Sequence, residues 1–135
     1  PCENNPGGRI NSYLSKAIMA EPVERKFIKA LKTKGPTFLN VMSPCPLGWY
    51  TKSEDSIKWA KLSVDTCYWP LYEVENGILR VTYRPREKKP LVEWLKPQGR
   101  FKHLFKPGNQ HMIDAFQARV DLEWQRLLDL DGKRV

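Results

Sequence analysis

Long apolar runs are missing from this 135-residue chain. No stretch approaches the roughly 18 residues that a membrane-spanning helix needs, which excludes a helical membrane protein. Cysteine is scarce as well: Cys2, Cys45 and Cys67 form an odd set without a CxxC spacing. That pattern argues against a disulfide framework and for a reducing, cytoplasmic compartment, and it rules out a four-thiolate metal site built from this chain alone. The first residues, Pro1 to Arg9, have neither the basic start nor the apolar middle of a signal peptide, and the absent initiator methionine predicts a processed or truncated chain. Several catalytic signatures are absent too, among them GxSxG, GxxxxGK[ST], HExxH and GxGxxG. His103 and His111 fall on different expected segments, where solvent or structural roles suit them. No pair of carboxylates is set apart by an apolar environment for acid and base work. Acidic residues are in deficit, with 15 Asp and Glu against 23 Lys and Arg, for a net charge of +8.

What remains is the composition of one modest globular domain, 41% hydrophobic and 28% charged. Its organising stretch runs from Pro36 to Trp49. Thr37, Phe38, Leu39, Val41 and Met42, bounded by Gly35-Pro36 and Pro44-Cys45-Pro46, have the length and punctuation of a strand buried on both faces. The two prolines predict a stiff, non-helical loop that holds Cys45 at the carboxyl end of that strand. In open α/β sheets this is the edge where ligands and cofactors sit.

Residues 1–12 read as an irregular lead-in. Tyr13 to Met19 reads as a short strand. A helix follows, with Pro22 suited to its first turn, Val23, Phe27, Ile28 and Leu31 on its core face, Arg25, Lys26, Lys29 and Lys32 on the other, and Gly35 to end it. Strand, helix, strand implies a parallel pair with a crossover. Ser53 is placed to cap a helix through about Thr66, with Ile57, Trp59, Ala60, Leu62 and Val64 as its core stripe. Asn76-Gly77 is a strong hairpin signal, pairing Tyr72 with Val81, Val74 with Leu79, and Glu73 with Arg80 as an ion pair on the opposite side. Arg84 to Pro90 is a polar linker, Leu91 to Leu95 a helical turn stopped by Pro97, and Gln110 to Leu130 a helix whose Ile113, Phe116, Val120, Trp124 and Leu127 face the body. Two strands and a hairpin make a thin sheet whose edge needs a neighbour.

Two candidate sites emerge. Cys45 is either a small packing residue or, given its prolines and its place at the strand's exit, a thiolate ligand held toward a cofactor. Cys67, at a helix end before an aromatic cluster, reads as packing, and Cys2 carries no signal. Residues 80 to 106 hold nine Lys or Arg against Glu87 and Glu93, a window that attracts acidic partners. Within it, Gly99 to Lys106 interleaves Arg100, Lys102 and Lys106 with Phe101 and Phe105. Such a segment either contacts nucleic acid or docks its aromatics on a neighbour.

Three stretches then add a resemblance. Phe38-Leu-Asn-Val-Met-Ser-Pro-Cys-Pro-Leu-Gly-Trp49, Tyr68-Trp-Pro-Leu-Tyr-Glu-Val-Glu-Asn-Gly77 and Lys89-Pro-Leu-Val-Glu-Trp-Leu-Lys-Pro-Gln-Gly-Arg-Phe-Lys-His-Leu104 together resemble the C-terminal half of the beta subunit of the 2-oxoacid:ferredoxin oxidoreductases, pyruvate:ferredoxin oxidoreductase in particular. The resemblance implies α/β architecture. Residues 13–83 would form the C-terminal half of a thiamine-diphosphate-binding domain, with a partial parallel sheet, crossover helices and a β-hairpin, and residues 84–135 a basic linker and helical arm. It implies oxidative decarboxylation of a 2-oxoacid, pyruvate first, with thiamine diphosphate and magnesium, capture of the acyl group on coenzyme A, and electrons passed through iron–sulfur clusters to ferredoxin. Cys45 matches the family's fourth ligand to a 4Fe-4S cluster. The other three cluster cysteines and the Gly-Asp-Gly diphosphate and magnesium motif belong to the family's N-terminal half and are absent here, so the chain is expected to be inactive alone and to need the remaining subunits. Cys67 stands where the family commonly has a small residue such as glycine. The alternative expectation is a non-enzymatic basic module that binds nucleic acid or an acidic protein.

Overall fold

A computed structural model describes residues 9–13 by their backbone and residues 23–135, with side chains from residue 25. The chain forms two compact units. The first comprises the described residues through Met42 with Pro70–Arg84 and Leu127–Val135, and the second comprises Ser43–Trp69 and Pro85–Arg126.

The first unit is built on a four-stranded mixed sheet. Its strands are β1 (Arg9–Tyr13), β2 (Phe38–Met42), β3 (Tyr72–Glu75) and β4 (Ile78–Val81), in the order β2-β1-β3-β4. Helix α1 (Val23–Lys32) lies in the chain between β1 and β2, which pair in parallel from Arg9 with Phe38 to Tyr13 with Met42. The strand, helix, strand unit is therefore present. The hairpin does not stand apart from it: β3 joins β1 antiparallel at Ile10 and Glu73, so the sheet is mixed rather than parallel. The first strand begins at Arg9, inside the stretch read as lead-in, while most of the expected Tyr13 to Met19 strand lies outside the described residues.

The hairpin follows its sequence. Asn76 and Gly77 both take positive φ, +52° and +79°, the backbone of a two-residue type I′ turn. Pairing of Tyr72 with Val81, Glu73 with Arg80 and Val74 with Leu79 is in the expected register. The expected ion pair is redirected, however. Glu73 is buried and takes Lys26 Nζ at 2.6 Å and Lys29 Nζ at 2.8 Å.

That pairing turns α1 over. Lys26, only 1% exposed, and Ala30 face inward, while Phe27, Ile28 and Leu31 are exposed, Leu31 by 70%. The expected core face is therefore exposed, and the inward side is the seam at Lys26 and Ala30, while Arg25 and Lys32 of the expected basic face stay exposed. A carboxylate on β3, 47 residues from Lys26, draws in Lys26 and Lys29, because a buried charge requires a partner at hydrogen-bond distance. β2 is corrected likewise. It was expected to be covered on both faces, yet only Met42 is buried, and Phe38 and Val41 are exposed, since β2 is the end strand of the sheet.

The opposite end of the sheet is closed by the chain's own tail. Leu79 N–H donates to Lys133 O, Gly132 N–H to Leu79 O, and Val135 N–H to Gly77 O. Asp131 accepts from Val81 N–H at 2.9 Å and pairs with Arg84 at 2.6 Å. These contacts give β4 the partner that an edge strand otherwise lacks.

In the second unit, α2 (Pro46–Trp49) is followed by a 3-10 turn at Ser53–Asp55 that leads into α3 (Ser56–Asp65). Ser53 opens that turn rather than capping it. Trp59, Ala60, Leu62 and Val64 are buried as expected, but Ile57 is exposed. Helix α4 (Leu91–Leu95), a 3-10 segment at Gly99–Phe105 and α5 (Gln110–Asp129) complete the fold, and Ile113 and Val120 form the buried stripe of α5.

Glu73 carries the clearest stability prediction. Burial pushes its carboxyl up, but the hydrogen bonds from Lys26 and Lys29 outweigh this and hold it below the usual glutamate value. A carboxylate depressed in the folded state stabilises above its unfolded pKa. Stability therefore falls as pH drops below about 4.3 and on through the lower folded value. Glu73→Gln leaves the Lys26 ammonium buried without its counter-charge and is expected to cost about 3 kcal/mol, and to flatten the acid limb, in urea titrations at several pH values.

Candidate functional site

Cys45 sits three residues beyond the end of β2, and its backbone is extended, φ −109° and ψ 102°. Pro46 then fixes the φ of a first helical position, so the expected non-helical loop is in fact a single helical turn that Cys45 heads. Trp49 N–H donates to Cys45 O at 2.8 Å and Gly48 N–H donates to Cys45 Sγ at 3.3 Å. Gly48 also gives the sulfur room: a Cβ there would stand 3.3 Å from Sγ. The thiol is exposed and free. Both prolines and both hydrogen bonds therefore act on one outcome, an accessible sulfur on a backbone with little freedom.

An aromatic nest anchors this turn from below. Trp94 of α4 is fully buried, meeting Trp49 edge-on with centroids 5.7 Å apart and stacking on Tyr68 at 4.1 Å. Phe101 packs against Trp94 at 5.9 Å and against Phe116 of α5 at 6.5 Å. The Arg100 guanidinium covers Trp49 at 4.5 Å, Phe101 at 4.6 Å and Trp94 at 5.5 Å, and its Nε donates to Gln98 Oε1 at 2.8 Å. Burial lowers its pKa. Gln98 in turn is fully buried and donates to Trp94 O. Of the two readings of Gly99 to Lys106, the docking one describes Arg100 and Phe101. Their charge and ring are spent on the turn that carries Cys45, with Gly99 N–H reaching Tyr50 O at 3.4 Å. Elsewhere in the basic window, Arg84 pairs with Asp131 and Lys88 with Asp121.

Cys67 has the opposite surroundings. It is buried, and its φ of +59° is left-handed, the conformation glycine takes at no steric cost. Its N–H donates to Val64 O at 2.9 Å, ending α3. Burial pushes its thiol up to about 11. Such a sulfur is inert at neutral pH. Cys2 lies outside the described residues. His103 and His111 are exposed, and His111 Nδ1 lies 2.9 Å from Gly108 O as part of the turn before α5. Among the described residues no group of three His, Cys, Asp or Glu side chains could hold a metal ion. The site that the sequence singled out is thus one exposed thiol on a rigid turn. What sequence reasoning missed is its support by Arg100 and Trp94, and the only earlier signal was that Gly99 to Lys106 suits a docking turn.

A rigidly presented single thiol, with no group of further ligands beside it among the described residues, cannot hold a metal ion by itself. Comparison with known proteins places the chain among its relatives. The chain is 45% identical over 124 residues to the pyruvate synthase subunit PorB of Thermotoga maritima, covering 90% of this chain and 38% of that subunit. It is 41% identical over 122 residues to the ketoisovalerate oxidoreductase subunit VorB of Pyrococcus horikoshii, covering 87% and 38%. With PorB of Methanocaldococcus jannaschii it shares 44% over 111 residues, covering 81% and 36%. No protein-family model matches the chain. The chain is homologous to part of the beta subunits of 2-oxoacid:ferredoxin oxidoreductases. It spans about two fifths of the length of the curated relatives it matches.

Two outcomes test this geometry. In a Cys2→Ser background, iodoacetamide at pH 8 is expected to label Cys45 quickly and Cys67 only after unfolding, because a thiol with a pKa of about 11 is ionised in roughly one molecule in a thousand at that pH. Gly99→Ala places a Cβ 2.6 Å from Tyr50 Cβ and should cost about 1–3 kcal/mol of stability, seen as a lower denaturation midpoint.

Proposed function

We propose that this chain is the C-terminal part of the beta subunit of a 2-oxoacid:ferredoxin oxidoreductase, with pyruvate as its substrate. The observation that carries the reading is the 45% identity to PorB across 90% of the chain, within which Cys45 is the one exposed thiol of the described residues. The complex decarboxylates the 2-oxoacid oxidatively, joins the acyl group to coenzyme A and delivers the two electrons to ferredoxin in the cytoplasm. Residues 13–83 belong to its thiamine-diphosphate domain and 84–135 to an arm that packs within the complex. Thiamine diphosphate and its magnesium are held outside this chain, which lacks the carboxylate and amide motif for them.

Cys45 supplies one thiolate to a 4Fe-4S cluster, and the rest of the subunit supplies the other three. A cluster bound there relays electrons one at a time. The fit rests on three features of the chain: the sulfur is exposed, the prolines hold it still, and the Gly48 N–H points at it, the kind of hydrogen bond that tunes a cluster's potential. Cys67, buried and hard to ionise, has none of them. Lysines and arginines left exposed on the arm steer an acidic ferredoxin toward the complex.

The test is to co-express the chain with the portion of Thermotoga maritima PorB that it does not match and to purify the assembly without oxygen. Iron content near four per assembly and a reduced-cluster electron paramagnetic resonance signal are expected, lost in Cys45→Ala and kept in Cys67→Ala. Full iron and an unchanged signal in Cys45→Ala would overturn the ligand role.

A further inference from the structure

The exposed apolar residues of α1 raise a separate question, since Phe27, Ile28 and Leu31 make one helix face that the described side chains leave about half exposed or more. A stripe of this kind on a helix is a contact surface by composition. It stands in the same unit as β2, the end strand of the sheet. The two ends of that sheet are treated differently. At β4 the chain's own tail runs alongside and satisfies the edge through Leu79, Gly132 and Val135. At β2 no described strand or tail pairs with the outer side of Leu39–Met42. Val41 of the same strand is exposed.

An end strand accepts a further strand through its backbone, and an apolar helix face beside the same sheet accepts the layer that packs over it. The relatives provide the occupant. The matched segment is 38% of PorB, so most of that subunit has no counterpart in this chain, and a partner of that size can supply both a strand and a cover. We propose that α1 and the outer edge of β2 are the docking surface for the remaining portion of a PorB-type subunit, which extends the sheet beyond β2 and buries Phe27, Ile28 and Leu31. This inference rests on the functional reading above and adds where the two portions meet. Charge does not oppose the fit: Lys26 is neutralised by Glu73, and Lys29 by Glu73 and Glu75, so the docking face meets its partner with part of its basic charge already satisfied.

The test uses the full chain carrying an affinity tag, co-expressed with the unmatched portion of Thermotoga maritima PorB. Ile28→Asp with Leu31→Asp puts two charges on the proposed contact, and Ile57→Asp puts one on an exposed apolar residue of the other unit as a control. Because Ile28 and Leu31 are exposed and α1 is held by Lys26 and Glu73, the double variant alone should keep its circular dichroism spectrum. The expected result is that wild type and Ile57→Asp co-purify the PorB portion and the double variant captures at least tenfold less. If the double variant captures as much as wild type, the docking surface is wrong while the functional reading stands. If wild type captures none, both fall. Sedimentation of the chain alone and flotation with anionic vesicles complete the test: dimers, or vesicle binding, that the double variant abolishes would assign the face to a second copy or to a lipid surface and overturn the proposal.

Discussion

The stacking of Trp49, Trp94 and Arg100 is the interaction on which the presentation of Cys45 depends. A single helical turn of four residues has no cooperative stability of its own, because nucleating a helix costs more than its first hydrogen bonds return. Two prolines restrict the chain around it, yet restriction alone does not fix where a turn sits. Trp49 supplies that by inserting edge-on against a ring with no solvent exposure, and Arg100 closes the contact with a planar, delocalised cation that stacks over the Trp49 ring. The guanidinium is in turn aimed by Gln98, and Gln98 by the backbone of Trp94. A change at any of these residues reaches the sulfur through packing rather than through contact.

Such a support also changes what the basic arm means. Nine cations in 27 residues look like an electrostatic footprint when read as a sequence. In the fold, Arg84 and Lys88 are paired with aspartates and Arg100 lies over rings. A cation paired with a carboxylate is largely cancelled at a distance, so Arg84 and Lys88 add little to the field outside the molecule. Lys102 and Lys106, exposed on the 3-10 segment and just after it, contribute to that field more fully.

How far the sequence was legible depended on the distance between cause and effect. The hairpin was readable to the residue, because Asn76 and Gly77 set the turn and the turn sets every pair up to Tyr72 and Val81. The cores of α3 and α5 were nearly as clear, each being a stripe repeated within one helix. α1 was legible as a helix and as amphipathic, and illegible in its orientation. Periodicity divides a helix into two faces without saying which is covered, and here the decision belongs to Glu73 in a distant strand. The expectation for β2 failed for a related reason: a run of apolar residues marks a strand without saying where in the sheet it lies, and β2 is the end strand. Cys45 was found by local punctuation, whereas its anchor at Arg100, 55 residues on, left no local trace.

The two described cysteines show that neither residue type nor place at an element's end determines chemistry. Cys67 closes a helix in a left-handed conformation that costs a side chain about 1 kcal/mol, and the burial that offsets this cost also withholds the thiolate. Cys45 opens a helix with an extended backbone that any residue adopts without strain, so burial of its own side chain is not needed to hold that conformation and its sulfur remains in solvent. Strain must be offset by burial, and burial silences a thiol; a reactive or ligating cysteine is therefore better placed where the backbone is relaxed and the rigidity comes from its neighbours. Pro44, Pro46 and Trp49 provide that rigidity here, which is why Cys45 presents an accessible sulfur and Cys67 a buried one.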